Sequence, residues 1–182
     1  MDGKEQSLFT SIMQELPQEI GIQEKFDENG FPDATHQGYA FLNINNTEYN
    51  IDYKVAGSDP SYQMNIYAHN VVEHKGKTTS SIFVNFFMGS PNDKVEYRID
   101  NGKWCKMSYN SQVDPSYYLK LIEWDTTNEL INGRRPSNAV QSTHLWTGKI
   151  QLDLPKGEYT IEVRATDRYG KIHKGSRTYK IL

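Results

Sequence analysis

Five histidines (His36, His69, His74, His144 and His173), the lone Cys105 and the loop aspartate Asp167 are the side chains of this sequence best suited to chemistry. A binuclear metal centre needs Asp, His and Asn ligands gathered at strand ends, because two ions roughly 3.5–4 Å apart must both be held. The patterns D-x-H, G-D-x-x-D, G-N-H and G-H-x-H do not occur, and no two histidines fall at i, i+4 or in H-x-H. Surface or hydrogen-bonded histidines are therefore the expectation, with no metal and no cofactor. Cys105 follows Trp104 on an expected hairpin strand, with no motif around it that marks a nucleophile, so it reads as a packed small side chain. No G-x-S-x-G elbow and no phosphate loop is present.

Aromatic residues offer a second kind of chemistry, the stacking of flat rings on sugars. Tyr117, Tyr118, Trp124 and Trp146 are the candidates, weighed against the commoner use of such rings in cores and interfaces. Asp167 opens the loop Asp167–Gly170, where an aspartate ordinarily accepts from its own backbone amides; a docking or binding role is the alternative.

The charge balance narrows the partners. A net charge of -3, with Lys and Arg spread along the chain, lacks the basic stripe of a nucleic-acid binder. No apolar run approaches the roughly 20 residues of a membrane span, and MDGKEQSLFT has no signal-peptide core, so the chain reads as soluble and unexported. One cysteine excludes an internal disulfide.

These side chains have to be positioned by mostly extended elements. Leu8, Phe9, Ile12, Met13 and Leu16 recur at helical spacing and Pro17 follows, so a helix is expected over Glu5–Leu16, then a linker over 18–37. From Gly38 the period becomes two: Tyr49, Ile51 and Tyr53 share one face of a strand, and Tyr62, Met64, Ile66 and Ala68 one face of the next. SIFVNFFM is apolar at nearly every position, which suits a central strand covered on both sides. Asn101-Gly102 between alternating runs predicts a two-residue type I′ hairpin, and a second hairpin is expected around Asp167–Gly170. KIQLDLPKG is read as a separate short strand and turn.

The stretch 109–141 is too long to be structureless in a compact domain, where such connections rarely exceed about 12–15 residues. Asp114-Pro115 has the form of an N-cap and N1 proline, predicting a short helix with Tyr118, Leu119 and Ile122 on one side. Short strands with Gly/Pro turns and no βαβ alternation predict an all-β, immunoglobulin-like β-sandwich carrying an N-terminal helix and a short helix within 109–141.

Three stretches carry a resemblance. GFPDATHQGYAFLNINNTEYNIDYKVAGSDPSYQMNIY, KVEYRIDNGKWCKM with VDPSYY, and RRPSNAVQSTHLWTGKIQLDLPKGEYTIEVRATDRYGKIHKGSRTYKI stand in one order. Together they resemble the C-terminal domain that follows the catalytic domain in bacterial calcineurin-like phosphoesterases, especially those of gut Bacteroidetes. The entry departs from the family's D-G-T-P-N-G-Y, reading ATHQGY here. The resemblance implies residues 1–27 as helix and linker and 28–182 as a non-catalytic accessory domain. The implied partner is a metallophosphoesterase catalytic domain, in cis or as a separate chain; the parent family's setting is periplasmic or secreted. A carbohydrate-binding module is the alternative. On this reading Tyr117, Tyr118, Trp124, His144 and Trp146 are expected as one partly accessible group facing the catalytic domain.

Overall fold

Alternating apolar residues in short runs produce strands through nearly half of the described residues. The computed structural model describes residues 11–12, 31–77 and 80–182. In chain order the strands are β1 (Ser11–Ile12), β2 (Gly38–Asn45), β3 (Glu48–Val55), β4 (Met64–Tyr67), β5 (Val71–Val72), β6 (Ser81–Phe86) and β7 (Lys94–Ile99). They continue with β8 (Cys105–Lys106), β9 (Ser108–Tyr109), β10 (Gln112–Val113), β11 (Gln141–Ser142), β12 (Leu145–Lys149), β13 (Gly157–Thr166) and β14 (Ile172–Ile181). One helix, α1 (Pro115–Thr126), lies between β10 and β11.

Two sheets form the sandwich, one in the order β4-β6-β12-β9 and the other β5-β14-β13-β7-β8. Their inner faces share one core: Ile82, Val84, Phe86 and Trp146 from the first meet Val95, Ile161, Val163 and Tyr179 from the second. Burial in that shared core drives the association of the sheets. The SIFVNFFM run is indeed central, with β4 on one side and β12 on the other. The expected all-β sandwich is thus the fold found.

The N-terminal helix expected over Glu5–Leu16 lies outside the described residues except at Ser11–Ile12. There the expectation is corrected, because these two residues pair antiparallel with Phe41 and Ala40 of β2. The free edge of β2 offers backbone partners, and neither serine nor β-branched isoleucine favours helix strongly enough to refuse them. The segment Gln151–Leu154, read as part of a strand, has none; Lys149 ends β12. Among the described residues no helix is long and apolar enough to cross a membrane.

The hairpin at Asn101-Gly102 exists but is built differently from expectation. Tyr97 pairs with Cys105, and the chain between β7 and β8 spans residues 100–104. The left-handed residue is Asp100, at φ 48°, and Gly102 is not in that region. Asp100 is held there by β13, since its N–H donates to Thr160 O and its carboxylate accepts from Thr160 N–H, each at 2.8 Å. Gly102 is needed for closeness instead: a Cβ would sit 2.9 Å from Ile99 O. Gly102→Val is therefore expected to cost about 1–3 kcal/mol, and Asp52→Asn, which weakens a surface pair with Lys171, under about 1 kcal/mol. Thermal melts of the two variants check this; equal midpoints would refute the close approach.

Candidate functional site

Asn85 is the one amide side chain in the apolar run of β6, and the pleat sends it to the side opposite Val84 and Phe86, on the outer face of its sheet. It is only 1% exposed, so its amide must be satisfied by protein groups. Asn85 Nδ2 donates to Asp114 Oδ2 at 2.9 Å and to Asp33 O at 3.2 Å. Its Oδ1 lies 2.7 Å from His144 Nδ1. His144 Nε2 in turn faces Thr35 Oγ1 at 2.9 Å and Asp33 Oδ2 at 3.2 Å. Asp114 also caps α1, accepting from Ser116 N–H at 2.7 Å and from the Ser116 hydroxyl at 2.6 Å. Asn65 of β4 donates to that same hydroxyl oxygen at 3.1 Å.

This polar centre ties three separate pieces of chain together: the 31–37 turn, the outer face of the four-stranded sheet, and the 109–141 insertion. A small apolar cluster of Ala34, Tyr117 and Leu121, with Ala139 against it, seals the same junction. Val140 N–H donates to Pro32 O at 3.0 Å, and the Tyr117 hydroxyl to Ser137 O at 3.0 Å. An aromatic group beside it holds the β2–β3 hairpin, with His36 edge-on to Tyr62 and Phe87 at 5.3 Å each and the Tyr53 hydroxyl donating to His36 O. Burial, followed by the nearby Lys120, lowers the His36 pKa against the opposing pull of Asp114.

Ser142, His144 and Asp33 stand in the order of a nucleophile, base and orienting acid, with Ser142 Oγ 3.2 Å from His144 Nδ1. Burial decides against that chemistry, since Ser142 is 0% exposed and no substrate atom reaches its hydroxyl. The closer acceptor for Nδ1 is also Asn85 Oδ1, so the ring serves the amide. What the cluster does is hold structure.

Asp33 carries the acid sensitivity of this junction. Burial raises its pKa, but hydrogen bonds from His144 and from the Thr35 backbone and hydroxyl outweigh it and bring the pKa to about 2. A carboxylate depressed in the folded state contributes stability that is present above its unfolded pKa, near 3.8, and is lost as pH falls toward 2. Asp33→Asn is expected to flatten the stability-versus-pH curve between about pH 4 and 2 by on the order of 1–2 kcal/mol, after discounting for partial exposure. Urea melts across that range check it, and parallel curves would refute it.

The structure separates the five residues expected as one accessible group. Tyr117 is 2% exposed in the junction cluster, Trp146 is 1% exposed in the sandwich core, and His144 is buried in the polar centre. Tyr118 is 54% exposed and Trp124 half-buried, so these two alone remain open to a partner or ligand. The α1 residues read as one side, Tyr118, Leu119 and Ile122, do lie together, but in solvent; Tyr117 and Leu121 face inward. Asp167 accepts from the backbone amides of Tyr169 and Lys171, both at 2.9 Å, and meets His173 Nε2 at 3.0 Å. Burial raises its pKa, and the His173 and backbone bonds lower it by more. Cys105 is free and half-buried.

Sequence reasoning passed over Asp33 and Asn85. The usable signal was Asn85 itself, since an amide inside a doubly covered strand demands a partner from elsewhere. Trp104 was not singled out either; it stands between Arg98 and Arg164, whose guanidinium carbons lie 4.8 and 4.2 Å from its ring. Glu96 and Glu162 pair with those arginines, so this outer sheet face is a charged ladder with an aromatic plate in it.

The class the structure defines is a β-sandwich domain whose helical insertion is anchored to one sheet by a buried polar centre. The chain belongs to the family of C-terminal domains of calcineurin-like phosphoesterases, whose family model matches residues 23–173. A search of curated proteins found no match. Among solved structures, CopC from Methylosinus trichosporium OB3b is similar at a TM-score of 0.30 and 13% identity, covering 63% of this chain and 84% of that one. A likeness at that level bears on neither fold nor function.

Proposed function

We propose that this chain is a non-catalytic accessory domain that packs against the catalytic domain of a calcineurin-like phosphoesterase and shapes substrate access to it. The observation that carries the reading is the family match over residues 23–173. The contact surface we assign is the outward face of α1, where Tyr118, Leu119 and Ile122 are 54%, 47% and 41% exposed. Clustered exposed apolar side chains mark interaction sites, and covering them would stabilise a complex by roughly 25 cal/mol for each Å² removed from water. The rigid anchoring of α1 through Asp114 means that little ordering entropy is lost on docking.

The double variant Tyr118→Glu, Ile122→Glu tests the surface. Its melting temperature is expected within about 2 °C of the parent, because both side chains are already in solvent. Its affinity for the separately produced catalytic domain is expected to fall at least tenfold, in line with about 1.4 kcal/mol or more lost. Unchanged affinity would remove α1 from the interface. Where docking shapes access, adding the accessory domain changes the catalytic domain's KM more than its kcat.

The carbohydrate-binding alternative rests on Tyr118 and Trp124, since Tyr117 and Trp146 are too buried to stack on a sugar. Glycan-array binding abolished by Tyr118→Ala or Trp124→Ala would favour it over docking.

A further inference from the structure

We propose that the free edge of β14 takes an extended acidic peptide as an added β-strand. β14 is laddered to β13 along its whole length, but on its other side β5 pairs only with Lys180 and Ile181. Lys180 N–H donates outward, to Asn70 O at 2.8 Å. The alternation of an antiparallel ladder then turns the N–H and C=O groups of Ile172, Lys174, Ser176 and Thr178 the same way. Among the described residues none of these groups has a backbone partner. Such an unpaired edge is a template for another strand.

The edge borders open space. A cavity of about 350 Å³ runs between Ser61–Ile66 and Lys174–Arg177, and a second of about 620 Å³ continues it between Lys171–Lys174 and the β2–β3 hairpin. The two share Ser61, Gln63 and Lys174, so they form one groove along β14. On its far wall β4 is also an edge strand, and Arg177 bridges to it by donating to Ile66 O at 3.0 Å.

Charge selects the occupant. Lys54, Lys171, Lys174 and Arg177 line the groove against one carboxylate, Asp52, which Lys171 already pairs at 2.5 Å. Arg177 has no carboxylate partner among the described residues: its guanidinium bonds Ile66 O and Asn70 Oδ1, and its buried Nε has no acceptor. A second copy pairing antiparallel about Lys174 would set that lysine against itself, and like charges directly opposite are unfavourable. An acidic strand gains backbone hydrogen bonds from the edge and finds Lys54 and Lys174 beside it, neither with a carboxylate partner among the described residues.

The test uses this chain and two labelled peptides, one alternating Thr and Glu over eight residues and one alternating Thr and Lys. Fluorescence anisotropy at low salt is expected to show saturable binding of the Glu peptide at least tenfold tighter than of the Lys peptide. Lys174→Glu is expected to weaken the Glu peptide at least tenfold. Hydrogen exchange of the Lys174 and Ser176 amides should slow when the Glu peptide is bound. Ser176→Pro removes one outward N–H without costing a β13 bond and is expected to weaken binding likewise; if that variant fails to fold, Lys174→Glu carries the test. Equal binding of both peptides, no binding of either, or binding without slowed exchange at 174 and 176 would overturn the proposal. So would slowing at those amides with rising concentration of the chain alone, which would assign the edge to a second copy.

Discussion

Trp146→Ala is expected to destabilise the domain by about 3–5 kcal/mol, the largest effect of any single change considered. The indole is 1% exposed, with its ring centroid 5.4 Å from that of Tyr109 and 6.2 Å from that of Phe86. A truncation there removes the transfer free energy of a large side chain and leaves a cavity that a close-packed sandwich cannot fill. Val84 pairs opposite it, and a Cβ on Gly89 would fall 2.8 Å from the indole, so little room exists for neighbours to collapse inward. In a domain of this size each kcal/mol moves the melting point by about 2–4 °C, giving a drop of roughly 6–20 °C. Tyr118→Ala, at an exposed ring, should move it by no more than about 2 °C. Equal and small shifts for the two would mean that Trp146 is a surface ring after all.

His144→Ala is expected to cost about 2–4 kcal/mol for a different reason. The change strands the Asn85 carbonyl, which has His144 as its hydrogen-bond partner, and removes a bond from Asp33 in the same step. A buried acceptor left without a partner costs its desolvation, about 1–3 kcal/mol, and the loss spreads to groups polarised by the same network. Because the centre holds the insertion to the sheet, amide exchange in α1 should quicken more than in β13. Ser142→Ala, which removes a longer 3.2 Å contact, should cost less than half as much. If His144→Ala melts within about 2 °C of the parent and α1 exchange is unchanged, the centre does not anchor the insertion.

Which features were legible in the sequence follows from how local their physics is. The strands, the turn at Asp167 and the N-cap at Asp114 depend on neighbours within a few residues, and residue type declares them. The β7–β8 turn was misplaced because Asp100 is held at positive φ by Thr160, sixty residues away. The helix face of α1 could not be oriented for a similar reason. Tyr118, Leu119 and Ile122 look like an inward side by hydropathy, yet Tyr117 is turned inward by Ala34 and Ser137, contacts that no local pattern contains. The polar centre escaped notice because its parts, Asp33, Asn85, Asp114 and His144, are scattered over more than a hundred positions. Each is an ordinary residue in its own segment, and only pairing of the sheet brings them together.

The central claim, that this chain is an accessory domain that docks on a phosphoesterase catalytic domain, is tested most directly by calorimetric titration of the two. The catalytic domain of a calcineurin-like phosphoesterase from the same genome, produced separately, is titrated with this chain at moderate salt. The account predicts a saturable 1:1 transition with a negative heat-capacity change, the mark of apolar burial at the α1 face. No detectable heat at either of two temperatures, with both proteins folded and near 100 µM, would contradict it.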